Sequence, residues 1–245
     1  MACAVLAALA IYELLNNTGF CKSEPLLYVG MGYAFLCSFL RNGLIPITTT
    51  KAAFVFIAVQ FVLAIVLNKN VNAQNLLASI FFPLAVGYSL RSLSIVLSLK
   101  YYNIFYFLLI VCFTVFADMG AYFIGVFFGK HKMAPHISPN KTYEGLIGEF
   151  GIGMLATFIV CVIFKYVLKL EYIRIWYIML LSPLFIALGV LGDLIASYFK
   201  RQSNIKDYGS VIPGHGGVMD RLDSFLLVGP SFYLINGMLM ISGNW

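Results

Sequence analysis

The chain has 245 residues, 61% of them hydrophobic and only 11% charged, with a formal net charge of +6. A soluble domain averages about 45–50% apolar and about 25% charged residues, so this composition cannot coat a water-facing globule and lipid is the expected solvent for most of the chain. The basic residues are scattered between apolar runs, which argues against a nucleic-acid partner and for anionic lipid or phosphate-bearing ligands.

A spanning helix needs about 20 mostly apolar residues. Eight stretches meet or approach that template: 2–16, 26–44, 52–68, 76–98, 103–128, 147–168, 173–197 and 224–242. The first lacks the basic start and cleavage site of a secretory signal, so it reads as a short or partial span. Cys3, Cys21, Cys37, Cys112 and Cys161 lie in or beside apolar stretches with no C-x-x-C pair. They read as small buried hydrophobes, with neither a disulfide framework nor a zinc site. The expected fold is all-α: a polytopic transmembrane bundle of about eight spanning helices. It forms a single integral membrane domain over 1–245, with N-terminal helices in 1–100 and the chemistry-bearing helices and loops in 101–245.

Two long polar connections break the apolar pattern. Residues 129–144 read GKHKMAPHISPNKTYE and residues 200–223 read KRQSNIKDYGSVIPGHGGVMDRLD. Two spans separate them, so both face the same side. Lys130, Lys132, Lys141, Lys200, Arg201, Lys206 and Arg221 all lie there. That outweighs Lys165, Lys169 and Arg174 on the opposite connection, and the positive-inside rule makes the richer side the cytoplasm.

Asp118 sits inside an apolar span, in VFADMGAYFIGVFFG, where a carboxylate costs about 2.5–3.5 kcal/mol to insert. Tyr122, Gly125 and Gly129 share its helical face, and the glycines would let another helix or a lipid headgroup come close. Plain packing around one hydrogen-bonded Asp is the alternative. Asp193 and Ser197, at i and i+4, offer two hard oxygens of the kind Mg²⁺ takes. Asp220 and Asp223, at i and i+3 in MDRLDS, repel each other unless a cation bridges them. A divalent metal there suits phosphoryl or nucleotidyl transfer; an ion-pair knot around Arg221 is the alternative. The PGHGG run at 213–217 frees backbone N–H groups to cradle an anion, with His215 orienting a phosphate or holding the turn. Lys200, Arg201 and Lys206, in the same segment as Asp207, are candidate phosphate donors. Ser138, Lys141 and Thr142 read equally as helix caps or as a phosphate site.

The stretch 197–223, SYFKRQSNIKDYGSVIPGHGGVMDRLD, resembles the signature of the phosphatidate cytidylyltransferase family. DMGAYFIGVFFGKHKMAP (118–135), Gly192-Asp193 and SPNKTYEG (138–145) are similar to further family motifs. The early AIYEL (10–14) resembles the end of the family's second span, which implies a start about one helix later than in other members. The resemblance implies that CTP and phosphatidic acid give CDP-diacylglycerol and pyrophosphate. It implies a catalytic set of Asp193, Asp220, Lys206, Asp207 and Arg221, and Mg²⁺ held by Asp193, Ser197, Asp220 and Asp223, with room for a second, monovalent cation. Lys200, Arg201, Lys206 and Arg221 would hold phosphates. Ser138, Lys141, Thr142, His215, Gly216 and Gly217 would contact substrate, with Asp118 and Tyr122 as the inner wall. CTP, phosphatidic acid and membrane lipid are the implied partners, a homodimer is compatible, and no nucleic acid is expected. The implied location is a bacterial inner membrane with the site facing the cytoplasm. Two rival readings stay open: a related CTP-dependent transferase or kinase acting on an isoprenoid phosphate or alcohol, and a transporter built around intramembrane Asp118.

Overall fold

The computed structural model describes residues 1–40, 48–67, 71–99, 102–170, 173–210 and 216–241. The apolar stretches coil into helices, as they must where lipid offers no partner for a free peptide group. In chain order these are α1 (Ala2–Tyr12), α2 (Glu24–Cys37), α3 (Thr49–Val66), α4 (Ala73–Val96), α5 (Asn103–Val111), α6 (Ala117–Phe128), α7 (Tyr143–Val162), α8 (Ile175–Gln202), the single turn α9 (Met219–Leu222) and α10 (Phe225–Ile241). Wider π-turns extend α1 over Glu13–Asn17, join α5 to α6 over Cys112–Phe116 and extend α7 over Ile163–Val167.

Five of these helical runs are long and apolar enough to cross a membrane: Thr49–Val66, Ala73–Val96, Asn103–Phe128, Tyr143–Val167 and Ile175–Gln202. The protein is therefore an integral membrane protein. Ala2–Asn17 and Phe225–Ile235 are apolar but shorter, and α2 has 14 residues. The stretch anticipated over 26–44 runs into 41–47, outside the described residues. Surface chemistry agrees with a lipid solvent: on α3, Phe54, Ile65 and Val66 are more than 70% exposed.

The polar connection over 129–144, for which the sequence predicted no strand, contains a two-stranded antiparallel ribbon, β1 (Lys132–Ala134) and β2 (Ser138–Thr142), in which Lys132 faces Thr142 and Ala134 faces Ser138. Pro139 explains part of the difference, because the residue before a proline is pushed out of the helical region toward extended backbone. Thr142 then starts α7: its hydroxyl accepts the N–H of Gly145 at 3.0 Å, a side-chain cap on an otherwise orphan donor.

The chain divides into two compact units, Met1–Ile95 with Phe199–Leu226, and Val96–Tyr198 with Leu227–Trp245. The segment 199–226, which carries most of the signature, thus belongs with the N-terminal helices. In that unit Gln60, fully buried on α3, donates to the Leu26 carbonyl at 3.1 Å and the Ser79 carbonyl at 3.3 Å. One amide so ties α2, α3 and α4, the usual use of a polar side chain between membrane helices. Gly30 gives α2 room beside Pro83 of α4, whose Cγ would lie 2.8 Å from a Cβ at that glycine. Phe20, Phe82 and Phe199 form a ring cluster with centroids 5.1–6.0 Å apart.

In the second unit Phe113, Phe185 and Phe232 meet with centroids 5.1–6.2 Å apart. Helices α6 and α7 touch through glycine. A Cβ at Gly120 would fall 2.5 Å from the Gly148 carbonyl oxygen, and one at Gly148 would fall 2.5 Å from Ile124 Cβ. Gly148→Val should therefore force the two helices apart and cost about 1–3 kcal/mol, the usual penalty of overpacking. Gly151, on the same helix, has nothing within 4 Å of its Cβ position. Gly151→Ala should be neutral or slightly stabilising, and thermal unfolding of the two variants in detergent checks the contrast.

Candidate functional site

The second unit gathers acids around one lysine. Lys141, on β2, reaches Asp193 of α8, with Nζ 2.8 Å from Oδ2 and both side chains largely covered. Burial works against the charged form of Lys141, but the carboxylates of Asp193, Glu149 and Asp118 outweigh it and hold its pKa above the ordinary lysine value. The ammonium is thus kept protonated. Ser197, one turn along α8, donates to Asp193 Oδ1 at 3.4 Å, so the pair anticipated from the i, i+4 spacing does share a face. Glu149, only 2% exposed on α7, hydrogen-bonds the side chain of Asp118 on α6.

Glycine makes this approach possible. Gly125 and Gly129 face the β2–α7 junction, where a Cβ on Gly125 would lie 3.3 Å from Thr142 Oγ1 and one on Gly129 would lie 2.9 Å from Thr142 Cγ2. The close neighbour of the glycine stripe is therefore protein, the start of α7. Glu144, in the first turn of α7, accepts the N–H groups of Lys130 and His131 at 3.1 and 3.2 Å and pairs with His131 Nδ1 at 2.6 Å. This closes the ribbon onto the helix. Tyr122 is 66% exposed, and Ser138 opens β2 opposite Ala134.

The first unit holds the signature segment. Lys200 pairs with Asp220, Nζ to Oδ1 at 2.9 Å, with side chains 11% and 7% exposed. Asp220 Oδ2 accepts the N–H groups of Tyr208 at 2.8 Å and Gly217 at 3.0 Å. The charge of Asp220 is thus met by one ammonium and two peptide dipoles, the arrangement a buried carboxylate needs. Gly216 takes φ +82°, and a Cβ there would sit 3.2 Å from Asp220 Oδ2. The backbone angle favours glycine, and the close carboxylate adds to that preference. Tyr208 is buried beneath the Lys200 ammonium, 5.4 Å from its ring centroid. Burial first, and then the charges of Asp220 and Asp223, push its hydroxyl pKa well up. Asp223 Oδ1 accepts the Ser224 N–H at 2.8 Å. Arg201, Lys206, Asp207 and Arg221 are exposed, and Arg201 donates to the Ile205 carbonyl at 3.3 Å. His215 lies outside the described residues.

A second carboxylate supports the same segment from far away in sequence. Glu13, 1% exposed, accepts the N–H of Val218 on Oε1 at 3.0 Å and that of Met219 on Oε2 at 2.9 Å. Neither Glu13 nor Glu149 figures among the site residues derived from sequence. The signal was present, since each is an acid within an apolar run and the argument that singled out Asp118 applies equally to both.

The oxygen donors fit a hard divalent cation only in part. Asp193 and Ser197 present carboxylate and hydroxyl oxygens together, and one ammonium faces three carboxyl groups there, which leaves the cluster short of positive charge. Among the described residues, however, no three His, Cys, Asp or Glu side chains converge on one point as a protein-only metal cage would. That is compatible with Mg²⁺, which keeps waters and takes phosphate oxygens beside one or two carboxylates. Asp193 belongs to the second unit and Asp220 to the first.

Thr142 separates the two roles anticipated for it. Its hydroxyl is buried as a cap, so Thr142→Ser should keep the stability of α7. Thr142→Val should lose about 1 kcal/mol through Gly145. Equal unfolding temperatures for the two variants would assign the hydroxyl elsewhere.

A family model described as the cytidylyltransferase family matches residues 1–239. The chain is 43% identical over 123 residues to a phosphatidate cytidylyltransferase of Staphylococcus haemolyticus (strain JCSC1435), covering 50% of this chain and 44% of that protein. It is 44% identical over 118 residues to one of Bacillus subtilis (strain 168), covering 48% and 42%. With one of Staphylococcus aureus (strain COL) it shares 42% over 139 residues, covering 57% and 49%. The chain spans about half the length of the curated relatives it matches.

Proposed function

This chain belongs to the cytidylyltransferase family, and from that premise we propose that it transfers the cytidylyl group of CTP to phosphatidic acid. An oxygen of the lipid phosphate attacks the α-phosphorus of CTP. The new P–O bond forms as the α–β bridge breaks, and pyrophosphate leaves with the bonding pair. The lipid phosphate is already ionised near neutral pH, so no strong base is required. What remains is to bring two anions together and to offset the charge that builds on the leaving group.

The observation that carries this reading is the surface exposure of three basic residues within the signature segment. Lys200 pairs with Asp220 and holds the loop, and Arg201, Lys206 and Arg221 lie exposed beside it in sequence. The relatives' name supplies the substrate pair. Mg²⁺, for which Asp193 and Ser197 in one unit and Asp220 and Asp223 in the other are the candidate ligands implied by the resemblance, would supply neutralisation of the pyrophosphate. Lys141 orients Asp193 through their 2.8 Å ion pair, and Asp118 and Glu149 belong to the same cluster. The roles of Tyr122, Ser138, Asp207, His215, Gly216 and Gly217 toward substrate, a second monovalent cation and a homodimer rest on the resemblance alone. In this reading the three shorter apolar helices complete about eight spans, and both polar connections face the cytoplasm of a bacterial inner membrane.

The experiment is label transfer. Protein in lipid nanodiscs receives CTP labelled at either the α- or the γ-phosphate, with phosphatidic acid. The α label should enter lipid in step with pyrophosphate release, and the γ label should stay in the pyrophosphate. Entry of the γ label into a lipid alcohol would make the protein a kinase. Asp220→Asn should lower turnover by on the order of 10²–10³-fold without loss of membrane insertion, whereas Cys112→Ala should be nearly silent.

A further inference from the structure

Glu13 takes no part in the chemistry just described, yet it is among the most completely buried polar side chains of the first unit. A carboxylate in that position must be compensated locally. The compensation comes from the signature segment itself: Oε1 receives the Val218 N–H and Oε2 the Met219 N–H, 205 and 206 residues away. The fit is tight on two further sides. A Cβ on Gly209 would fall 2.5 Å from Glu13 Oε1, and a Cβ on Gly217 would strike the same carboxylate. Asn17, from the same π-turn as Glu13, donates to the Tyr208 carbonyl at 2.6 Å.

These contacts bracket Asp220. Val218 and Met219 immediately precede it, while the N–H groups of Gly217 and Tyr208 are the ones that hold its Oδ2. Glu13 therefore fixes the backbone that fixes Asp220. The π-turn sets the direction of both side chains, and such turns often mark functional sites within helices. We propose that Glu13, assisted by Asn17, is a positioning residue for cytidylyl transfer: it clamps residues 208–209 and 217–219 so that Asp220 and Arg221 are held in register for the reaction. It does so without touching substrate. The two glycines are required because the carboxylate occupies the space their side chains would fill. This inference rests on the function proposed above.

Three readouts test it. Hydrogen–deuterium exchange compares wild type with Glu13→Gln, which keeps the shape but replaces one acceptor oxygen by a donor. Peptides covering 208–220 should exchange at least about tenfold faster in the variant, while peptides from α6 and α7 should be unchanged. In steady-state assays with CTP and phosphatidic acid, kcat of Glu13→Gln should fall by about 10–100-fold with KM for CTP changed less than about threefold. Gly209→Ala alone should be impaired, and Glu13→Asp combined with Gly209→Ala should recover activity, because the shorter acid withdraws from the new methyl group. Uniformly faster exchange across the protein, an unchanged 208–220 region, or strictly additive losses in the Glu13–Gly209 pair would overturn the clamp. A wild-type protein that transfers no cytidylyl group to phosphatidic acid would instead overturn the proposed function, and the exchange result would still decide whether Glu13 holds the loop.

Discussion

Acidic side chains can sit in a chain this apolar only where something nearby answers their charge, and that requirement organises the polar parts of the molecule. Asp193 is answered by Lys141 at 2.8 Å, Asp220 by Lys200 at 2.9 Å together with two peptide N–H groups, and Glu13 by two more. In water an exposed ion pair contributes little. In a buried setting, removal of one partner strands the other, which is far more costly than the pair is favourable. Each pair therefore locks a loop to a helix: β2 to α8 in one unit, the signature segment to the end of α8 in the other. Glycines at Gly125, Gly129, Gly148, Gly209 and Gly217 then make room for these approaches.

The same requirement explains how the charges divide between structure and function. A lysine committed to a buried carboxylate is poorly placed to bind a phosphate by itself, yet it orients that carboxylate and shapes what remains exposed. Lys141 and Lys200 belong to this group. Arg201, Lys206 and Arg221 are exposed, which suits them to bind an anionic group. The proposed reaction would give that division a chemical meaning, since joining two phosphate-bearing substrates needs exposed cations as much as it needs a fixed scaffold.

Much of the fold was legible because spanning helices announce themselves by length and composition. The stretch expected over 103–128 is the run Asn103–Phe128, and the Asp193–Ser197 pairing followed from helical spacing alone. The ribbon over 132–142 was not legible, because its strands are short, polar and interrupted by a proline. Partnerships across long sequence separations were also invisible. A local reading set Asp220 against Arg221 and Asp223 and missed its ion pair with Lys200, 20 positions earlier. Thr142 could be read as a cap or as a phosphate contact, and its hydrogen bond with the Gly145 N–H shows the cap. Glu13 lay inside the AIYEL stretch and was read only for where the chain starts, and Glu149 lay in no motif, although a lone acid in an apolar helix carries its own energetic signal.

The claim that these carboxylates are held by specific partners is tested most directly by a double-mutant cycle on Lys141 and Asp193, read as thermal unfolding in detergent. Lys141→Met and Asp193→Leu should each lower the unfolding temperature, and the double variant should be no less stable than the worse single one, because neither charge is then left alone. Losses that simply add would contradict the account and leave the buried acids without the compensation on which it depends.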